Sequence, residues 1–118
     1  MIEKTQKELI KIADRVFSLW IRRRDRGKCI TCGTIRPIEI MQNGHFVPRD
    51  CKPLRYDEKN CNTQCKECNE YGRGELKAYR QALIEKYGEK IVKIMENRKQ
   101  EIKQFSRKEL QEIIKKYE

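Results

Sequence analysis

Two cysteine pairs with the same spacing, Cys29-Ile30-Thr31-Cys32 and Cys65-Lys66-Glu67-Cys68, decide the fold of the central part of this chain. A spacer of two residues lets both thiolates of a pair face one ion, so the two pairs predict a tetrahedral structural zinc site. The segment between them is too short and polar to fold by burial alone, and a bound zinc would supply the missing folding free energy. Disulfide pairing is the alternative. The chain begins without an apolar secretory stretch, so we expect a reducing, cytoplasmic compartment in which disulfides would not persist.

Positive charge is concentrated on the two flanks of the chain. The 118 residues include 28 Lys and Arg against 18 Asp and Glu, for a net charge of +10. All but one of these net charges lie in residues 1–28 and 75–118, and the cysteine-rich centre, residues 29–74, is almost neutral. The length predicts a single domain made of these three parts. The basic excess predicts a nucleic-acid partner, with a merely solubilising surface as the alternative, and no apolar run is long enough to cross a membrane.

The N-terminal flank has the periodicity of an amphipathic helix. Its apolar residues recur every three or four positions and form one stripe: Leu9, Ile12, Val16, Leu19 and Trp20. This pattern predicts a helix from about residue 4 to Arg26, stopped by Gly27. The last turns carry four arginines: Arg22, Arg23, Arg24 and Arg26. Cations suit a helix C-terminus, but four of them exceed what the helix dipole needs, so we also expect contacts with DNA phosphates.

The C-terminal flank predicts three further helices. The first starts near Gly74 and runs to Tyr87, where Gly88 stops it, and the second starts around Glu89. The third spans Arg107 to about Tyr117, behind a capping box formed by Ser106 and Glu109. The apolar face of this last helix would pack either on the core or on another subunit.

Thirty-two residues separate Cys32 from Cys65, and this insert carries the only histidine, His45. The insert opens with four apolar residues that predict a strand: Ile35, Ile38, Ile40 and Met41. A polar loop from Asn43 to Arg49 is expected next, because Asn-Gly is a common hairpin turn. Strands between flanking helices make this an α+β protein. Cys51 and Cys61 remain outside the two pairs, either as small buried hydrophobic residues or with a second metal or redox role.

An imidazole in such an insert suits hydrolysis of a phosphodiester. The reaction needs a base with a pKa near neutrality and a divalent cation that offsets the negative charge on the phosphate. A partly buried structural histidine beside a turn is the alternative.

Four segments together resemble the pattern of HNH nucleases, which have a ββα-metal (His-Me finger) fold. They are Cys29-Ile30-Thr31-Cys32-Gly33, Gly44-His45-Phe46, Asn60, and Cys65-Lys66-Glu67-Cys68-Asn69. A longer string is similar to the NinG/Rap recombination endonucleases of lambdoid and related phages, over about residues 12–95. It adds Arg22–Gly27, Leu54–Glu58, Asn60-Cys61 and Tyr79-Arg80.

This resemblance implies a role for each matching residue. His45 would be the general base, Asn60 would position it, and Asn69 would contact the metal or the phosphate. The four paired cysteines would hold the structural zinc. The implied substrate is branched DNA, including Holliday junctions and D-loops, during phage recombination in the host cytoplasm.

The chain departs from the HNH pattern at Gly44, where many members have an Asp or His that binds the catalytic cation. Since the chain has one histidine, oxygen atoms would have to hold this cation, which favours Mg²⁺ or Mn²⁺. Its candidate ligands are Asp50, Asp57, Glu58, Glu75, Asn69 and the substrate phosphates. Asp57 and Glu58 rank above Asp50, because they lie in the string that resembles the family. Arg49 and Arg55 join the helix arginines as expected DNA contacts.

Two functions lead from the sequence: a metal-dependent DNA endonuclease and a non-catalytic zinc-containing DNA-binding module. Basic flanks and zinc support both equally, whereas His45 with Asn60 and Asn69 favours the enzyme. A redox-sensing cysteine protein ranks third. Because a four-way junction has two-fold character, a homodimer is expected, with the C-terminal helices as contacts.

Overall fold

The computed structural model describes residues 3–70 and 75–118. Over these residues it contains five helices and one two-stranded sheet, which confirms the α+β class. The elements are α1 (Gln6–Arg24), β1 (Gln42–His45), β2 (Cys61–Gln64), α2 (Lys66–Glu70), α3 (Glu75–Tyr87), α4 (Glu89–Asn97) and α5 (Arg107–Tyr117). Two short 3-10 turns, Ile38–Ile40 and Lys52–Leu54, lie in the connections.

Helix α1 confirms the predicted N-terminal helix to within two residues at each end. A capping box of Thr5 and Glu8 starts it, which satisfies backbone amides that would otherwise lack partners. Its buried residues recur every four positions: Leu9, Ala13, Phe17 and Ile21. After Arg24 the backbone turns through Gly27, which has a φ of +70°. A Cβ on Gly27 would lie 2.1 Å from the carbonyl oxygen of Arg36, so only glycine fits this turn.

Helix α5 has the predicted bounds and the predicted capping box of Ser106 and Glu109. Its apolar face packs on α1 of the same chain. Leu110 lies in a buried cluster with Leu9 and Ala13, and the ring of Tyr117 meets that of Phe17 at a centroid distance of 4.7 Å. Of the two alternatives for this face, packing on the core is therefore the observed one, and the face is not left open for another subunit.

Helices α3 and α4 also match the prediction, with Gly88 between them at a φ of +94°. The predicted start at Gly74 lies outside the described residues. Together with the connection between the two strands, these helices form the second hydrophobic cluster, which contains Phe46, Val47, Leu54, Tyr79, Leu83, Val92 and Met95. The hydroxyl of Tyr79 donates a hydrogen bond of 2.7 Å to the carbonyl of Gly44, so α3 is joined directly to β1.

The sheet differs from the prediction in two respects. The apolar run from Ile35 to Met41 is not a strand, because it contains the 3-10 turn behind Pro37 and leaves Ile40 59% exposed. The predicted polar loop at Asn43 is instead the middle of β1, which pairs antiparallel with β2 and places His45 opposite Cys61. A Cβ on Gly44 would lie 1.9 Å from Oε1 of Gln64, so the glycine is present for close strand packing rather than for a turn.

Strand β2 was not predicted because its residues are polar and yet buried. Asn62, Thr63 and Gln64 are at most 3% exposed, and their side chains are hydrogen-bonded within the protein. Thr63 Oγ1 bonds the carbonyl of Ile21 in α1, and Gln64 Nε2 donates to Thr31 in the first cysteine pair. No helix among the described residues is long and apolar enough to span a membrane.

Candidate active site and metal centre

The four paired cysteines meet at one point, as the sequence predicts. Cys29 and Cys32 lie in the turn after α1, Cys65 directly follows β2, and Cys68 lies in α2. Their Sγ atoms all lie within 4.8 Å of one another. The fold therefore brings two segments that are far apart in the sequence into one candidate metal site.

The chemistry of this cluster fits zinc. A tetrahedron with Zn–S bonds of about 2.3 Å has edges of about 3.8 Å, and the Sγ atoms of Cys32 and Cys65 are 3.8 Å apart. The backbone amide of Cys32 points at Cys29 Sγ at 3.5 Å. Burial raises the pKa of the Cys29 thiol, but backbone amides that face the sulfur outweigh it and lower the pKa to about 7. Cys29 is thus shifted toward the thiolate form that binds metal. Burial and the neighbouring cysteine sulfurs instead raise the pKa of Cys68. At Cys32 the amide of Thr34 lowers the pKa, but burial and the Cys29 and Cys65 thiols outweigh it, so the net pKa is also raised.

A polar groove of about 490 Å³ lies beside this cluster, between α1, β1, α2 and the connection from β1 to β2. It gathers five of the residues predicted from the sequence: Arg22, His45, Arg49, Arg55 and Asn69. It also contains Asp14, Gln42 and Asn43, to which the sequence reading assigned no role. This groove is the candidate active site.

His45, the last residue of β1, is held by a backbone carbonyl. Its Nε2 lies 3.0 Å from the carbonyl oxygen of Arg55. Because a carbonyl can only accept, Nε2 must carry the proton, and the neutral ring then keeps its lone pair on Nδ1. Burial lowers the pKa of His45, and although the bond to Arg55 opposes this, the net pKa is below the ordinary value of 6.5. The imidazole is therefore neutral at pH 7, as a general base must be.

Asn60 is completely buried and acts on the connection between the strands rather than on the imidazole itself. Its side chain accepts a hydrogen bond of 2.8 Å from the amide of Val47 and donates bonds of 3.0 and 3.1 Å to the carbonyls of Val47 and Leu54. These three bonds tie together the two ends of the segment between His45 and Arg55. Asn60 thus fixes the segment whose carbonyl meets His45.

Asn69 is carried to the groove by the second cysteine pair. Its backbone amide bonds the carbonyl of Cys65 at 3.0 Å, and its Nδ2 donates to Oε1 of Gln42 at 2.7 Å. Gln42 in turn donates to Glu70 at 2.8 Å. The amide oxygen of Asn69 is left as the polar atom that this residue can offer to a ligand.

The other arginines predicted to contact DNA lie outside the groove and differ in how far they are exposed. Arg24 is engaged inside the protein, where its guanidinium bonds the carbonyls of Glu58 and Cys61 and pairs with Asp25. Arg23 and Arg26 are exposed on the surface at the end of α1.

The predicted cation ligands Asp57 and Glu58 are not brought to His45. Asp57 Oδ1 accepts hydrogen bonds from the amides of Lys59 and Asn60, which shapes the turn before β2. Glu58 accepts a hydrogen bond of 2.7 Å from the hydroxyl of Tyr117 in α5. Both line a separate surface depression. Asp50 is exposed, and the side chain of Glu75 is not described.

Asp14 lines the groove but was not predicted as a site residue, although a pattern in the sequence could have indicated it. Asp14, Ser18 and Arg22 recur every four positions, which places them on one face of α1 beside the apolar stripe. That polar face forms one wall of the groove. The pattern was visible in the sequence, but nothing indicated which element would lie opposite it.

Fold and site together define a small α+β protein in which a four-cysteine candidate metal site adjoins a polar groove. The family model for the bacteriophage lambda NinG protein matches residues 2–118, and the chain belongs to the NinG family. The match extends over both termini, beyond the stretch of about 12–95 that carried the resemblance in the sequence.

Relatives are found in several phages. The protein ninG of Escherichia phage 933W is 36% identical over 96 residues, which cover 80% of this chain and 47% of the relative. That of Salmonella phage P22 is 39% identical over 87 residues, covering 72% of this chain and 42% of the relative. That of Escherichia phage lambda is 35% identical over 96 residues, with 80% and 47% covered. The chain therefore spans about half the length of the curated relatives it matches. No solved structure matches it significantly.

Proposed function

We propose that this chain is a divalent-metal-dependent DNA endonuclease of the HNH type, which hydrolyses phosphodiester bonds in branched recombination intermediates of a phage. One observation carries the proposal: His45, neutral and oriented by a carbonyl, lies in a groove lined by Arg22, Arg49 and Arg55. The order β1, β2, α2, with His45 on the first strand and Asn69 on the helix, supports the ββα-metal core that the resemblance implies. Holliday junctions and D-loops are the substrates that we infer from the resemblance.

His45 would take the proton from the attacking water at Nδ1, since Nε2 is committed to Arg55. Arg49 would hold the scissile phosphate, because its side chain is 67% exposed and has only a loose contact with Asp14 at 4.0 Å. Zinc on the four cysteines would be structural, holding α2 and hence Asn69 against β1.

A catalytic Mg²⁺ or Mn²⁺ would offset charge on the phosphate and on the leaving oxygen. The groove offers two amide oxygens for it, on Asn69 and Asn43. Asn43 Oδ1 is buried and has no hydrogen-bond partner among residues 3–70 and 75–118. These atoms fit a hard cation that the substrate phosphate also binds, and we place the cation here rather than at Asp57 and Glu58.

A non-catalytic zinc-containing DNA-binding module is the second candidate. It is favoured by the balance of charge in the groove, since the described lining residues include three arginines and one carboxylate, that of Asp14. Such a surface binds phosphate whether or not hydrolysis follows.

The deciding experiment compares wild-type protein with His45→Ala on a labelled four-way junction in Mg²⁺ or Mn²⁺. We expect the wild type to cut and the variant to bind the junction without cutting it. Gln104→Ala, an exposed site between α4 and α5, is the matched control and should cut normally. Cutting by His45→Ala would exclude His45 as the base, and a wild type that binds but never cuts would establish the binding module.

We also propose that two copies act together on the two-fold junction, in the host cytoplasm. Because the apolar face of α5 is buried against α1, the contact between copies would use another surface. Light scattering of the protein with and without the junction tests this, and one copy per junction would contradict it.

A further inference from the structure

Asp14 of α1 is the one carboxylate among the described residues that line the groove, and both of its oxygens are hydrogen-bonded. Its two oxygens receive Nε and one terminal nitrogen of Arg55 at 2.9 and 2.5 Å, which makes the ion pair bidentate. Oδ1 also accepts a hydrogen bond of 2.8 Å from the hydroxyl of Tyr56. Two consecutive residues of the connection between the strands are thus fixed to one side chain on the opposite wall.

The same connection contains the atom that orients His45. Arg55 bonds Asp14 through its guanidinium and His45 through its carbonyl oxygen, so a single residue joins the carboxylate to the imidazole. The side chain of Arg55 is 14% exposed and that of Asp14 is 29% exposed, so water screens the pair only partly. The bidentate pair leaves the Arg55 side chain little freedom to move, since two parallel hydrogen bonds fix the orientation of the guanidinium as well as its distance from the carboxylate.

We propose that Asp14 is a positioning residue for His45, which it controls by anchoring Arg55 so that the Arg55 carbonyl holds the Nε2–H of the ring. Its catalytic consequence rests on the proposed endonuclease function, but the positioning itself does not. Arg55 then acts as a support whose charge Asp14 already balances. Arg22 is hydrogen-bonded to Ser18 and to the carbonyl of Ile38, so Arg49 is the groove arginine that is left to contact phosphate.

The test uses the fact that the chain has one histidine, so every imidazole signal in a nitrogen-15 correlation spectrum belongs to His45. In the wild type we expect a visible Nε2–H proton, because the bond to Arg55 slows its exchange with water. Asp14→Asn should make this proton exchange about tenfold faster or abolish its signal, as loss of one hydrogen bond predicts. Arg55→Lys should act in the same direction, because lysine cannot form two parallel bonds.

Glu112→Gln, the same acid-to-amide change at an exposed position of α5, is the control and should leave the signal unchanged. Circular dichroism verifies the fold of each variant, and Arg55→Lys decides the question if Asp14→Asn does not fold. An unchanged Nε2–H exchange in a folded variant would overturn the proposal. So would a variant that keeps this signal and loses only its affinity for Mg²⁺, because Asp14 would then act on the cation. The spectra remain decisive even if the wild type cuts no DNA.

Discussion

Asn60 makes three side-chain hydrogen bonds and is completely inaccessible to water. All three bonds go to backbone groups of the connection between the strands. The side chain thus supplies hydrogen-bond partners to backbone groups that no helix or strand would satisfy. An amide is needed here because it both donates and accepts. At the scale of the residue, the sequence could indicate Asn60 through its resemblance, but only the structure shows that it acts through Val47 and Leu54.

We expect Asn60→Ala to lower the free energy of unfolding by about 2–3 kcal/mol, because buried backbone groups would lose their partners. Urea denaturation of the zinc-loaded protein measures this. The control is Asn97→Ala at the exposed end of α4, where a change within about 0.5 kcal/mol is expected for a surface site. A loss below about 1 kcal/mol at Asn60 would mean that water replaces the amide.

His45 should make stability fall on mild acidification. The groups that face it are Asp14 on α1 and Arg49 and Arg55 on the connection, and burial leaves its folded pKa below the unfolded value of 6.5. The unfolded chain therefore binds a proton first as the pH drops through 6.5, and the contribution of neutral His45 is lost as the pH falls toward its folded pKa.

Urea unfolding at about pH 7.5 and about pH 6, with excess zinc, tests this linkage. The wild type should lose more stability between these values than His45→Gln, which has no imidazole to titrate. Equal losses in both proteins would show that His45 is not buried as a neutral group.

At the scale of the element, the four longer helices were predictable from the residue pattern, whereas α2 and the two strands were not. The sequence indicates helices α1 and α5 by apolar residues on one face and by capping boxes at Thr5 and Ser106. Strand β2 has the sequence Cys61-Asn62-Thr63-Gln64, and hydropathy cannot predict burial of such residues. Their partners come from α1 and the first cysteine pair, which are remote in the sequence.

The packing of α5 on α1 gives a direct prediction at this scale. Leu110 is fully buried against Leu9 and Ala13, so Leu110→Ala should destabilise the protein by about 2–5 kcal/mol. Ile102→Ala serves as the control, since Ile102 is 98% exposed and should change stability by less than about 0.5 kcal/mol. Thermal melts compare the two, and similar melting temperatures would show that α5 is not docked in solution.

At the scale of the whole molecule, the cysteine cluster joins segments that are remote from one another in the sequence. It connects the turn after α1 with the end of β2 and with α2. The pairs of cysteines made the existence of this site predictable. The groove beside it was predictable only in part, because its walls come from four separate segments and the sequence does not show that Asp14 faces Arg55.

Removal of the metal should therefore destabilise the sheet and α2 as well as the cysteine-containing turn after α1. We expect one zinc per chain by native mass spectrometry, and a chelator should lower the melting temperature and expose the buried residues of β2 to hydrogen exchange. Cys65→Ser should lose the zinc. Cys51→Ser should keep it, because Cys51 lies outside the cluster and bonds the carbonyl of Arg98 instead. An unchanged melt after complete removal of zinc would contradict a structural role.

The pairing of α1 with α5 also has a consequence for biosynthesis. Gln6 bonds the carbonyl of Phe105, 99 positions further along the chain. While the ribosome is still making the intervening residues, Leu9, Ala13 and Phe17 have no α5 to cover them. At about 5–20 residues per second, this apolar face waits for several seconds. During that interval the exposed apolar face of α1 is a surface to which a chaperone can bind. The protein reaches its final packing only after α5 has emerged.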